Sequence, residues 1–258
     1  MNTIILTSCL DMYHKDENKN RIAHTVVNNN GILDLLKSKI KKFDNFVYVA
    51  SVKDNYAATD VYANVTFDSI HLTMPFKNYI VLDGRTENKA EEIIKKADFI
   101  FLCGGHVPTQ NKFFEEINLK NIINKTDALI LGQSAGSMNC ADVVYCPPEL
   151  EGESLDKTFK RYFKGLGLTN LNIMPHYDIR LTEILDEKEY WNEIVLPDSK
   201  KTKMLVLTDK SYVVEENGIQ TLYGEAYVFE NGKITKICEN NKKLDITNMF
   251  SEDKNIIK

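Results

Sequence analysis

Ser134 stands at the centre of Gly132-Gln133-Ser134-Ala135-Gly136, a Gly-x-Ser-x-Gly run that follows the apolar stretch Ala128-Leu129-Ile130-Leu131. A strand that delivers a serine to a sharp turn before a helix exposes the hydroxyl as a nucleophile. Glycines on both sides suit a turn with little room beside it. A serine hydroxyl attacks poorly at neutral pH. It needs a base within hydrogen-bond reach, an acid to orient that base, and donors for the developing oxyanion. The base can be sought among five histidines: His14, His24, His71, His106 and His176. His14 falls in a polar loop, and His24 and His71 in or near helices, where surface or packing roles are expected. His176 is the only histidine after Ser134. It sits in the short extended segment Met174-Pro175-His176-Tyr177-Asp178 and is the expected base. For the acid, Asp209 closes the strand-like run Met204-Leu205-Val206-Leu207-Thr208, with Glu149 as the alternative. Asp178 lies too near His176 in sequence to be favoured. Gly104-Gly105 ends another apolar run and brings His106 close to the site. The expected oxyanion donors are the N–H groups of Gly105 and Ala135. Gly104 and His106 would then border the substrate.

The elements that must position these residues alternate. Short apolar runs at 3–8, 45–51, 78–83, 97–103 and 128–132 read as strands. Between them, apolar residues at helical spacing predict helices over 23–42, from a cap at Asp54 through Ile70, over 87–96 and over 108–123. Gly31 unsettles the first half of the first helix. Strands of this length alternating with helices make βαβ units and a mainly parallel sheet flanked by helices. Their near-continuous hydrophobicity suits strands covered on both faces. Chemistry in such sheets gathers at the C-terminal ends of the strands, where both Gly104-Gly105 and Ser134 fall. Beyond Ser134, residues 143–164 read as an irregular excursion with Pro147-Pro148, and 181–194 as a helix. The remainder is rich in β-hairpins, with Asn231-Gly232 as a hairpin turn. No repeat or linker divides the chain, so a single α/β domain is expected over 1–258.

Composition sets the outer limits. The 258 residues are 43% hydrophobic and 27% charged, with a formal net charge of -5. That balance argues against a nucleic-acid partner and gives no reason for attraction to an anionic membrane. No stretch is apolar enough for long enough to span a bilayer. The first residues read as a strand, not as a signal peptide. Five scattered cysteines without a Cys-x-x-Cys suit a reducing compartment, and a cytoplasmic location is expected. There is no His-x-x-x-His and no grouping of acids with histidines, so neither metal nor cofactor is expected. Oligomeric state is not legible.

Three segments together resemble peptidase family S51, which includes peptidase E and cyanophycinase. They are Ile100-Phe101-Leu102-Cys103-Gly104-Gly105, then Gly132-Gln133-Ser134-Ala135-Gly136, then Met174-Pro175-His176-Tyr177. Their order and spacing fit over most of the chain. The resemblance implies a class I glutamine amidotransferase-like fold with serine in place of cysteine. It also implies a small peptide substrate, cut after an N-terminal aspartate in the peptidase E branch. Ser134 matches the family's nucleophile and His176 its base. Asp209 lies where the family has a glutamate in a Leu-Pro-Glu-Gly-like segment; here it reads Leu207-Thr208-Asp209-Lys210. Glu149 lies fifteen residues after Ser134, where the family's acid has also been placed. Peptidase E carries Gly-Gly-Gly-Asn where this chain has Cys103-Gly104-Gly105-His106. An aspartyl substrate would need a cation, and Arg180, four residues after His176, ranks before Arg161. Two other readings compete with a serine peptidase. One is an α/β-hydrolase esterase, and the other is a non-catalytic binding or sensing protein that keeps the elbow.

Overall fold

The computed structural model describes residues 3–250. The chain begins with β1 (Ile4–Thr7), a short hairpin of β2 (Tyr13–Lys15) and β3 (Arg21–Ala23), and α1 (Ile32–Lys39). Then follow β4 (Asn45–Val49), α2 (Tyr56–His71), β5 (Asn78–Leu82), α3 (Ala90–Lys95), β6 (Phe99–Leu102), α4 (Val107–Glu116), α5 (Leu119–Ile122), β7 (Leu129–Gln133) and α6 (Ala135–Met138). Strands β1, β7, β6, β4 and β5 lie side by side in that order, all parallel. This is the parallel sheet expected from the βαβ pattern.

The strands bury both faces, and side chains alternate between them. Ile4, Leu6, Val47, Val49, Ile100, Leu102 and Ile130 enter one core with Phe113 and Phe114 of α4. Ile5, Phe46, Tyr48, Phe99, Phe101, Leu129 and Leu131 enter the opposite core, under α1 and α2. This two-sided burial accounts for the unbroken apolar runs in the sequence.

After α6 come β8 (Val143–Tyr145) paired with β9 (Tyr162–Lys164), then β10 (Ile173–Met174), β11 (Ile184–Leu185), β12 (Lys188–Glu189), a π-helical turn (Tyr190–Val195) and α7 (Leu196–Asp198). The chain ends in β13 (Met204–Leu207), β14 (Tyr212–Glu216), β15 (Ile219–Tyr223), β16 (Ala226–Glu230), β17 (Lys233–Cys238) and β18 (Lys243–Asp245). Strands β14, β15 and β18 extend the main sheet antiparallel beyond β1, giving eight strands among the described residues. Strands β10, β13, β16 and β17 form a second sheet. The expected hairpin turn at Asn231-Gly232 joins β16 and β17, and both residues have positive φ, 53° and 72°.

Four local expectations are corrected. Residues 181–194 do not form an α-helix. Asp186 and Glu187 have φ of 50° and 65° and turn the chain between β11 and β12. The π-helical turn that follows buries Tyr190, Trp191, Ile194 and Val195 on one side, a spacing close enough to the α-helical one to mimic it in sequence. The helix expected over 23–42 shrinks to α1, because Asn30 and Gly31 are left-handed just before it. The polar loop after β1 carries the β2–β3 hairpin. The cap of α2 is Asn55, whose side chain accepts from the Ala58 N–H, and not Asp54.

Candidate active site

Strand β7 ends at Gln133, and Ser134 turns sharply with φ 53° and ψ −118° before α6 begins at Ala135. A non-glycine residue in this region is strained. Here the turn is held by its surroundings. The Ser134 N–H donates to Thr7 O of β1 at 3.0 Å. The Ser137 hydroxyl lies 2.8 Å from Thr7 O and 2.7 Å from Gly132 O. Gly136 is required by contact: a Cβ there would fall 2.1 Å from Leu102 O of the neighbouring β6. The elbow is thereby clamped between β1 and β6, its two neighbours in the sheet.

His176 follows β10 and Pro175 in a left-handed conformation, φ 66°. Its N–H donates to Ser8 Oγ at 2.8 Å. Its Nε2 lies 2.9 Å from Ser134 Oγ, and its Nδ1 lies 2.7 Å from Asp209 Oδ1. A carboxylate can only accept, so Nδ1 carries the proton and Nε2 is left to accept from the serine. Asp209 follows β13, the parallel neighbour of β10. Its Oδ1 also accepts from the Ser8 hydroxyl at 2.8 Å, and its N–H donates to Asp178 Oδ1 at 2.8 Å. Burial pushes the Asp209 carboxyl up, but the bond from His176, the charge of that ring, the Ser8 hydroxyl and Lys210 outweigh it. The net pKa lies below the usual aspartate value. Ser134, His176 and Asp209 thus meet in one hydrogen-bonded chain.

Glu149 is not part of that chain. It pairs with Arg180 Nη1 at 3.1 Å, and burial raises its pKa despite Arg180, His106 and His176 nearby. Arg180 is committed as well. Its Nε and Nη2 donate to Glu183 at 2.6 and 2.8 Å, and its guanidinium lies 3.8 Å from the Tyr190 ring centroid. Burial works against its charge, and the bonds to Glu183 and the nearby acids more than offset this. Arg161 pairs with Asp198 at 3.1 Å. Both arginines are thus paired with acids of the chain itself.

Gly104 and Gly105 follow β6. A Cβ on Gly104 would sit 3.3 Å from Ser134 Cβ, which puts this loop directly against Ser134. At Gly105, with φ 154°, a Cβ would fall 1.9 Å from Ser51 Oγ, so only glycine fits. Among the described residues, no loop or turn hydrogen bond uses the N–H of Gly105 or of Ala135. His106 opens α4, with its Nδ1 2.8 Å from Thr109 Oγ1 and its Nε2 3.1 Å from Glu153 Oε1. Its ring is held in place by these two partners. No group of His, Cys, Asp and Glu suited to a metal ion is found among the described residues.

Three residues near the site were not anticipated. Ser8 ties His176 to Asp209. The one available signal was its position at the end of β1, beside the elbow strand. Glu153 anchors His106 and accepts from the N–H groups of Glu149 and Leu150 at 2.8 and 3.0 Å. Ser51 underlies Gly105. Cys9 lies close by, and burial together with Asp209, Asp11 and Asp178 pushes its thiol up to about 12. Among the described residues no helix is long and apolar enough to cross a membrane.

A family model described as peptidase family S51 matches residues 28–222, more than half of the chain. No curated protein matches the chain by sequence. Among solved structures, a peptidase from an acI-B1 Actinobacterium aligns with a TM-score of 0.62 at 12% identity, over 95% of this chain and 97% of that one. A putative peptidase E protein from Listeria monocytogenes EGD-e aligns with a TM-score of 0.50 at 13% identity, over 92% of this chain and 100% of that one. At such identities the likeness is one of fold.

Proposed function

We propose, on the premise that this chain belongs to peptidase family S51, that it hydrolyses short peptides through an acyl-enzyme on Ser134. The observation that carries this reading is the chain of hydrogen bonds from Ser134 Oγ through His176 to Asp209. In the first step Ser134 Oγ attacks the scissile carbonyl carbon, and its proton passes to His176 Nε2. Asp209 holds the Nδ1–H and offsets the positive charge that the ring gains. The N–H groups of Gly105 and Ala135 receive the oxyanion. His176 then gives the proton to the leaving amine as the C–N bond breaks. A water, deprotonated by the same nitrogen, attacks the acyl-serine, and the second product leaves with Ser134 restored.

With Asp209 as the acid, the order along the chain is serine, histidine, acid. An α/β-hydrolase runs serine, acid, histidine, so the esterase reading loses the arrangement it required. Dipeptides with an N-terminal aspartate are the substrate class added by the peptidase E resemblance. The pairing of Arg180 and Arg161 with acids weighs against that narrower class.

The test uses a fluorophosphonate probe together with turnover of a dipeptide panel. Labelling of the wild type but not of Ser134→Ala, with turnover lost in both Ser134→Ala and His176→Ala, is the expected outcome. A wild type that is folded yet neither labels nor cleaves any peptide would refute the catalytic reading and leave a binding protein.

A further inference from the structure

Gly104 and Gly105 run between Ser134 and Ser51 and line a cavity. Gly104 faces Ser134, and Gly105 faces Ser51. That cavity has a volume of about 260 Å³. Met12 and Tyr13 of the β2 hairpin, Tyr48 and Phe101 of the sheet, and Tyr62 of α2 give it apolar and aromatic walls. Sites for drug-sized ligands run to roughly 300–1,000 Å³, so this space suits one side chain and not a whole peptide. Ser51, also in the lining, is 8% exposed, and its hydroxyl has no hydrogen-bond partner. Buried polar atoms without partners are uncommon in folded chains. This one lies beside the loop that borders the nucleophile.

The cavity carries no Lys, Arg, Asp or Glu in its lining. Its one titratable ring besides the tyrosines, His106, is already held by Glu153 and Thr109. Arg21 packs on Tyr62, 4.0 Å from its ring centroid, and is not part of the lining. A carboxylate placed here would lose its water without gaining a cation, which is costly. An apolar side chain would gain the full benefit of burial.

The placement also assigns the side of the scissile bond. His176 and Asp209 reach Ser134 from the β1 side, through Ser8. The cavity is lined by Phe101 of β6 and by Gly104, Gly105 and Gln133, which adjoin Ser134. The leaving amine must face His176, which protonates it. The acyl residue, the other substituent on the carbonyl carbon, is then turned away from His176. We infer that this cavity is the pocket for an uncharged apolar or aromatic side chain on the acyl residue of the substrate, so that the chain selects N-terminal Phe, Tyr, Leu or Met over Asp. This rests on the acyl-enzyme reading for its orientation.

The experiment measures dipeptide binding by calorimetry on Ser134→Ala, which removes turnover, and on the same chain with Ala58→Trp. Ala58 lines the cavity from the exposed first turn of α2, so a larger side chain there narrows the space without entering the core. Phe-Ala and Leu-Ala should bind roughly ten- to a hundredfold more tightly than Asp-Ala, the span expected for burying such a side chain. Ala58→Trp should remove at least tenfold of that preference and leave Gly-Ala unchanged. Equal or tighter binding of Asp-Ala would overturn the inference and direct attention to Arg21. So would binding of none of these dipeptides, or a preference that Ala58→Trp leaves intact. Turnover by the wild-type chain separates the two readings. Binding of Phe-Ala without any turnover removes the peptidase and keeps the pocket. Turnover of Asp-Ala with no apolar preference removes the pocket and keeps the peptidase. The comparison among dipeptides on Ser134→Ala stands whether or not the Ala58 variant folds.

Discussion

Replacing Asp209 with asparagine removes one charge and almost no volume. In the structure its Oδ1 accepts from His176 Nδ1 at 2.7 Å and from the Ser8 hydroxyl at 2.8 Å. An asparagine can answer in two ways. If its NH2 faces the ring, Nδ1 must become the acceptor, the proton moves to Nε2, and Nε2 points a donor at Ser134 where an acceptor is needed. If its oxygen faces the ring, the tautomer survives, but the imidazolium of the transition state loses its counter-charge. Loss of the correct tautomer in a Ser-His-Asp triad costs about 10⁴ in kcat. A fall of about 10³–10⁴ in Asp209→Asn corresponds to roughly 4–5.5 kcal/mol of transition-state stabilisation. KM should stay within about threefold, because Asp209 lies behind His176 and away from the acyl side. The assay is kcat and KM on the best dipeptide, with thermal unfolding as the control for folding. The same variant tests linkage. The folded pKa of Asp209 is lowered, so the stabilisation it gives is fully present above the ordinary aspartate range and is lost as pH falls through the lowered value. Wild type should therefore lose stability on acidification more steeply than Asp209→Asn. A folded Asp209→Asn within threefold of wild-type kcat would refute the assignment of the orienting acid.

Glu149→Gln is expected to keep kcat within about fivefold. Burial raises the Glu149 carboxyl despite Arg180, and an amide oxygen in its place can still accept from Arg180; dipeptide kinetics and a melting curve at neutral pH check both. Gly105→Ala should lower kcat by about 10²–10³, as expected for a misplaced oxyanion donor, because its Cβ would meet Ser51 Oγ at 1.9 Å. Adding Ser51→Gly should recover only part of this, since the backbone strain at φ 154° remains; a double-mutant cycle on kcat measures the coupling. Cys9, pushed up to about 12, should react with iodoacetamide at pH 8 about a thousandfold more slowly than an ordinary thiol. Timed alkylation followed by mass spectrometry reads this directly.

The sequence made the candidate site legible because two of its signals are local. The Gly-x-Ser-x-Gly turn names its own geometry, and with five histidines in the chain, position narrowed the expected base to His176. Asp209 was reachable because it ends a clear strand, although composition could not rank it above Glu149. What separates them is the parallel pairing of β10 with β13, which sets His176 and Asp209 side by side, and strand pairing is not written in either segment. Ser8, Ser51 and Glu153 were hidden for the same reason. Each is an ordinary polar residue until a distant segment arrives beside it. The helix expected over 181–194 failed where two left-handed residues, Asp186 and Glu187, overrode a pattern that a π-helical turn shares with an α-helix. The commitment of Arg180 to Glu149 and Glu183 could not be read from its spacing to His176, since its partners lie on either side of that residue in the chain.

The route of the chain between the two sheets has a consequence for refolding. After β7 the chain leaves the main sheet to lay down β10 and β13, returns for β14 and β15, leaves again for β16 and β17, and returns for β18. In chain order every strand of the main sheet but β18 precedes the last strand of the second, and Ser134 belongs to one sheet while His176 and Asp209 follow strands of the other. Many of the pairings are also distant in sequence, β1 with β14 among them, which slows the search for them. A fragment ending after α6 would carry Ser134 on its strand and nothing to activate it. In the intact chain, regain of turnover after dilution from denaturant should follow the same time course as burial of Trp191, the single tryptophan, which packs beneath the second sheet against Phe229. Enzyme activity would then report the final closure of the fold.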